Sequence, residues 1–339
     1  MSEGKLHFED FPVGSVWRAS GYRITQDEII AFAREFDPQP FHLDPVAAAK
    51  GPTEGLIAPG MLTCSIVMRM TFDAFMFRTV GLGAPGIDET KWLRPVRPGM
   101  ELDLAIEIVG ARVSQSRPDT GLLNFSLLLC DQTGEPVMSQ RYTGFYARRD
   151  TTPPPPAPPS PKAAAVIAPD LPSFTDERTN LTRFAARYDD VLVGARVVTG
   201  SYDFTKENVI PFAAKYDPQP FHLSDEGAAN SHFGFLASSG WLTAASFVRS
   251  LVDARDRAVA RQAELGFPIL VDRPSPGFQN LRWVRPVRVG DRVTYDTQVI
   301  SKEPDYRPGF GLARHRGSGV NQAGEIVFQI EHTSLVSMD

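Results

Sequence analysis

The period of the apolar positions changes along this chain, and each change predicts an element. Residues 16–24 read as a strand, and Thr25 followed by Glu28 carries the signature of a capping box that opens a short helix. From Gly60 the chain is apolar almost throughout, with Met61-Leu62 and Ile66-Val67, which predicts a buried helix rather than a surface one. Residues 102–109, 122–129 and 137–146 then read as strands, with Gly134 at a turn between two of them, as in an antiparallel meander. The whole succession returns. A strand at 195–204 leads to a helix opened by Thr205, and an apolar helix from Gly240 carries Trp241-Leu242 and Phe247-Val248. Strands follow at 292–300, 311–320 and 326–336, with Gly324 at a turn. Each half is thus expected to be one long helix wrapped by an antiparallel sheet, an α+β architecture built twice.

The residues themselves repeat. Asp37-Pro38-Gln39-Pro40-Phe41-His42-Leu43 recurs unaltered as Asp217-Pro218-Gln219-Pro220-Phe221-His222-Leu223. Phe8-Glu9-Asp10 and Val13-Gly14 align at the same spacing with Tyr188-Asp189-Asp190 and Val193-Gly194. Trp92 and Arg94-Pro95-Val96-Arg97 match Trp283 and Arg285-Pro286-Val287-Arg288; Trp92 answers to Trp283 rather than to position 272, so the second copy carries an 11-residue insertion before it. Asp131-Gln132-Thr133-Gly134-Glu135 matches Asn321-Gln322-Ala323-Gly324-Glu325. The chain is a tandem duplication, expected to divide into residues 1–150, a linker at 151–180 and residues 181–339. The linker opens TTPPPPAPPSP and continues Ala-rich, a composition that favours polyproline II and spans about 3 Å per residue. Such a spacer lets the halves pair side by side.

Composition narrows the classes. At 339 residues each half is long enough to bury its own core. A net charge of −5 argues against a nucleic-acid binder, because neutralising phosphates needs a basic face. Cys64 and Cys130 sit in apolar runs with no metal-type spacing, and residues 1–5 have no apolar stretch, so a reducing, cytoplasmic setting is expected. No window approaches the roughly 20 apolar residues of a membrane span.

The repeated heptapeptide carries the chemistry. Its two prolines are expected to stiffen the backbone and forbid a regular helix, so that a carboxylate and an imidazole, Asp37 with His42 and Asp217 with His222, aim at a single water molecule. Gln39 and Gln219 have donors and an acceptor with which to orient the carboxylate or that water. Taken singly, the motif reads more readily as a stiff loop with a capping Asp and a surface His; its unaltered recurrence beside a helix-opening glycine argues for a site. A metal held by Asp37, His42 and Asp44 is not expected, since Ser224 replaces Asp44 in the second copy. His7, His232, His315 and His332 have no partner between the halves and read as structural or solvent-facing. Ser65 faces Ala245 in the alignment, so its claim on a site is weak. Arg94, Arg97, Arg285 and Arg288 either recognise phosphates or extend into solvent.

The heptapeptide, followed by a glycine that opens a buried helix, resembles the motif of the MaoC-like dehydratases, the (R)-specific enoyl-CoA hydratases or hydratase 2 enzymes. Gln39 and Gln219 stand where that family has Asn, and Pro59 and Ser239 stand where it tends to have His before the glycine. The resemblance implies a hot-dog fold in each half, no cofactor, an acyl-CoA substrate, and reversible hydration of a 2-enoyl-CoA to the (R)-3-hydroxyacyl-CoA. It assigns Asp37, His42, Asp217 and His222 to acid/base catalysis, and the amides near Gly60 and Gly240 at the helix starts to stabilising the enolate oxygen, because a helix amino terminus favours developing negative charge. An acyl-CoA thioesterase and a non-catalytic acyl-thioester binder remain the alternatives. The halves are expected to form an internal pseudo-dimer, with any further homodimer left open. Because Pro59 lacks an amide hydrogen while Ser238 and Ser239 keep theirs and add hydroxyls, the second site is expected to be the better furnished.

Overall fold

The computed structural model describes residues 5–149, 181, 183–229, 231–270 and 273–338; the stretch read as a linker, 151–180, lies outside the described residues. The first half runs β1 (Val16–Arg23), α1 (Gln26–Phe36), α2 (Pro40–Leu43), α3 (Pro45–Lys50), α4 (Gly60–Ala74), β2 (Gly86–Trp92), β3 (Glu101–Val113), β4 (Thr120–Asp131) and β5 (Pro136–Ala147). The second repeats it with β6 (Arg196–Asp203), α5 (Lys206–Tyr216), α6 (Pro220–Leu223), α7 (Asp225–Ala229), α8 (Gly240–Glu264), β7 (Gly277–Trp283), β8 (Arg292–Arg307), β9 (Phe310–Asn321) and β10 (Ile326–Ser337).

Alternation fixes which face of the sheet is inward. In β3 the apolar Leu102, Leu104, Ile106 and Ile108 are buried, while Glu101, Asp103 and Glu107 between them are exposed. The covered face lies over α4, where Met61 to Val67 are buried without a break, so the first two turns of this helix have no wet side, as its apolarity predicts. The 11-residue insertion is absorbed by lengthening the second central helix: α8 has 25 residues against 15 in α4.

The ten strands of the described residues form one antiparallel sheet in the order β1-β3-β4-β5-β2-β7-β10-β9-β8-β6. The halves therefore join edge to edge through β2 and β7, which pair Gly86 with Arg282 and Lys91 with Gly277. These two strands are the elements sequence patterning leaves out, because GIDETKW and GFQNLRW are too polar and too short to announce themselves. The contact is self-complementary, like the interface of a two-fold dimer. It also requires glycine. A β-carbon at Gly86 would meet the Leu281 carbonyl oxygen at 2.0 Å and one at Gly277 the Thr90 carbonyl oxygen at 2.2 Å.

Beneath the seam the central helices exchange arginines. Arg69 of α4 donates to the carbonyls of Ala214 and Lys215 at the end of α5, and Arg249 of α8 donates to those of Arg34 and Glu35 at the end of α1. A guanidinium at a helix carboxyl terminus satisfies carbonyls that the helix cannot. Each half thereby fastens the helix that leads into the other half's heptapeptide.

Two local expectations are corrected. The prolines do not exclude a helix: Pro40 and Pro220 occupy the first positions of the one-turn helices α2 and α6, where a missing amide hydrogen costs nothing. The capping box at Thr25 is only half made. Thr25 Oγ1 accepts the Glu28 amide, but the Glu28 carboxylate turns away to Tyr22, Tyr216 and Lys215. A reciprocal box forms instead at Thr205 with Asn208.

Gly86→Val should break the seam, at a cost of about 3 kcal/mol as expected for a side chain forced into filled space. A urea midpoint equal to that of the wild type would contradict this account of the β2–β7 pairing.

Candidate active site

Asp37 and Asp217 follow directly on α1 and α5, each with its amide still bonded to the helix, to Ala33 and Ala213. Their φ/ψ angles of −152/66° and −148/64° end the helix, and the proline after each prevents its continuation. Gln39 and Gln219 then turn the chain so that the one-turn helix presents His42 or His222 back to the aspartate. The His42 Nδ1 lies 2.8 Å from the Ile57 carbonyl and the His222 Nδ1 2.8 Å from that of Ala237. A carbonyl only accepts, so Nδ1 carries a proton in each ring, and Nε2 is the nitrogen that gains and loses one. Each Nε2 stands 3.4 Å from the aspartate Oδ2. All four side chains are buried, at 4–5% exposure. Gln39 Nε2 donates to Asp37 Oδ1 at 2.7 Å and Gln219 Nε2 to Asp217 Oδ1 at 2.8 Å.

The helix-opening glycines have a steric cause. A β-carbon at Gly60 would lie 2.3 Å from the Trp92 ring, and one at Gly240 2.3 Å from that of Trp283. The tryptophan and the glycine, which recur separately along the sequence, are thus one packing unit at each helix start.

The two copies differ in what surrounds this shared core. In the second, Ser239 Oγ donates to Asp217 Oδ2 at 2.7 Å, the oxygen that faces His222, and also accepts the Trp241 amide. Burial opposes ionisation of Asp217, but His222, Ser239 and Gln219 together hold its carboxyl below the usual range. In the first, Pro59 offers no such hydroxyl, and no side chain caps α4. Ser239 therefore spends its hydroxyl on the aspartate rather than furnishing an oxyanion pocket, contrary to the expectation drawn from Pro59.

A cavity of about 320 Å³ completes the contrast. It is lined by Asp37, Gln39, His42, Gly60 and Met61 of the first copy and continues beneath the second half, past Val191, Phe247, Arg255, His315, His332 and Val336. Asp217 and His222 do not line this cavity. The mirror-related space in the first half is full. Phe11, Phe75, Phe125, Tyr142 and Tyr146 stand where the second half has Val191, Arg255, His315, His332 and Val336, and these aromatic rings pack with centroids 4.7–6.2 Å apart.

Arg255, which sequence reasoning missed, is supplied to the first site by the second half. Its NH1 donates to Gln39 Oε1 at 2.8 Å, which leaves the Gln39 NH2 for Asp37. Its counterpart is Phe75, so comparing the repeats gives no signal for it. The four repeated arginines are tied elsewhere. Arg94 bonds Asp131 and the Pro136 carbonyl, Arg97 the Thr53 carbonyl, Arg285 lies 3.5 Å from Glu325, and Arg288 stacks on Phe235. Of these only Arg94 also lines the cavity. Of His315 and His332, expected to be structural or solvent-facing, the first is buried and the second half-buried, and both line it. No cluster of three or more His, Cys, Asp or Glu able to hold a metal occurs among the described residues, and no helix among them is long and apolar enough to cross a membrane.

Two central helices under one continuous sheet with a self-complementary seam define the double hot-dog class. A putative MaoC domain dehydratase from Chloroflexus aurantiacus shares it with a TM-score of 0.73 at 17% identity, covering 100% of this chain and 99% of that one. So does a conserved hypothetical protein of Mycobacterium tuberculosis described as a double hotdog fold, with a TM-score of 0.67 at 17% identity over 98% of each chain. Residues 10–122, which contain Asp37, His42 and Gly60, match the MaoC like domain. An uncharacterized protein of Bacillus subtilis, YdeM, is 27% identical over 127 residues, 38% of this chain and 89% of its own.

Ser239→Ala should raise the Asp217 pKa and, by loss of a hydrogen bond to a charged group, cost about 1.5–3 kcal/mol at neutral pH. A carboxyl whose pKa is lowered by folding stabilises the fold above its unfolded value, and that contribution disappears as the pH falls through the folded one. The deficit should therefore shrink in urea titrations run near pH 3. An equal deficit at both pH values would mean that Ser239 acts only as the cap of α8.

Proposed function

We propose that the protein adds water reversibly to a 2-enoyl-CoA thioester, giving the (R)-3-hydroxyacyl-CoA, and that the first-half site is the working one. The observation that carries this reading is the Asp37–His42 pair beside the open end of α4 at the mouth of a cavity. Water bonded to Asp37 Oδ2 and His42 Nε2 gives up a proton as its oxygen bonds to the β carbon. The electron pair of the double bond moves toward the thioester oxygen, where the Gly60 and Met61 amides and the positive end of the helix favour the developing charge. A proton returned from the same pair to the α carbon completes the addition, and the thioester survives.

Gln39 and Arg255 act on Asp37 from behind. By bonding Oδ1, Gln39 leaves Oδ2 for the water, and Arg255 fixes which end of the amide does so. The (R) configuration follows the resemblance to hydratase 2. At the second site the aspartate oxygen facing His222 is already occupied by Ser239, and the space beyond is filled with aromatic rings, so that copy serves the fold.

With crotonyl-CoA, enone absorbance should fall without release of thiol, and the product should be the (R) isomer. Thiol release would point to a thioesterase, and no reaction to a binding protein. Asp37→Asn or His42→Ala should lower turnover at least about 100-fold, as loss of an acid/base group does. Asp217→Asn should keep most of it. If Asp217→Asn proves the more damaging, the working site has been assigned to the wrong half.

A further inference from the structure

The far part of the cavity is polar in a way the fold does not need. Arg183 is 6% exposed and lines it. Its Nε and NH2 donate only to the Thr297 hydroxyl, at 3.3 and 2.9 Å, and its guanidinium lies 4.9 Å from the centre of the Phe184 ring. No ion pair joins it to a carboxylate among the described residues. Beside it, His315 is 1% exposed, with Nε2 at 2.7 Å from Ser334 Oγ and a buried Nδ1 that has no partner. His332 stacks on His315 with centroids 5.0 Å apart and meets Thr297 Oγ1 through Nε2 at 3.2 Å.

A cation withdrawn from water without a counter-ion is costly, and so is a buried donor or acceptor without a partner. The first half fills the corresponding positions with Phe125 and Tyr142, so the sheet tolerates apolar or aromatic side chains there. Burial pulls the Arg183 guanidinium down to about 9, still charged at neutral pH, and keeps both imidazoles well below their usual range and so neutral. Around Arg183 the chamber thus presents a fixed positive charge flanked by neutral groups that donate and accept hydrogen bonds. A carboxylate matches a guanidinium in charge and in planar geometry, whereas the end of a plain hydrocarbon chain would leave the Arg183 charge without a counter-ion and the His315 Nδ1 without a partner.

Building on the hydratase reading, we propose that the acyl chain ends in a carboxylate, so that the substrates are ω-carboxy-2-enoyl thioesters and Arg183, with His315 and His332, selects them at the far end of the cavity.

The test uses the full chain and trans-2-enoyl-CoA thioesters of increasing length. Each length is made with a terminal carboxylate, with the methyl ester of that carboxylate, and with a plain methyl end. At one or more lengths the carboxylate should exceed both neutral versions in kcat/KM by about tenfold or more, chiefly through KM, a factor worth about 1.4 kcal/mol. Arg183→Gln should abolish or invert that ratio, and Arg183→Lys should keep part of it. Preference for a neutral end at every length overturns the inference, as does an Arg183→Gln variant that lowers all three versions alike, since the arginine then serves the fold or the CoA moiety. If Arg183→Gln does not fold, the wild-type ratio and Arg183→Lys decide. Calorimetric binding of the saturated thioesters reads the same preference without turnover. Absent hydration together with a tenfold binding preference for the carboxylate would refute the reaction and leave the selectivity standing; hydration without that preference would do the reverse.

Discussion

The pairing of β2 with β7 is the constraint on which the rest of the molecule depends. It makes one sheet of two, and with Gly86 and Gly277 it brings the backbones closer than any side chain would permit. Because both central helices then lie under the same sheet, Arg69 and Arg249 can reach across to the ends of α5 and α1. Those helix ends are where Asp217 and Asp37 leave the helical path. Each aspartate therefore leaves a helix whose end carries an arginine from the other half.

From that common frame the two copies diverge by what fills the space beyond them. The heptapeptide, the histidine tautomer, the glutamine bond and the tryptophan under the glycine are reproduced within 0.1 Å. Beyond them one half packs aromatic rings and the other leaves a chamber. The carboxylate–imidazole pair is the part that repetition preserves. What lies behind it differs, and with it the space each copy leaves open.

Much of this was legible in the sequence because repetition marks what the fold reuses. Strands such as β3 and β4 declare themselves by alternation, and α4 and α8 by unbroken apolarity. The site core is visible because Asp37, His42 and Gly60 recur together as Asp217, His222 and Gly240. The seam strands were not legible, since their pairing satisfies the backbone and asks little of the side chains. Arg255 and Arg183 were invisible for the opposite reason, because each acts in one half only and comparing the copies discards it. Ser239 stands out in the sequence but its bond does not: at a helix start a hydroxyl has several acceptors within reach, and only the three-dimensional arrangement tells that Asp217 takes it.

The fused chain has a consequence for how such a protein changes over generations. In a homodimer of identical subunits any mutation is written into both halves, so a substitution that hollows out one chamber hollows out its twin and removes packing from both. Here Phe125 and Tyr142 can stay as ballast while their counterparts at 315 and 332 vary. Duplication gives this protein a stable half that tolerates experiments in the other.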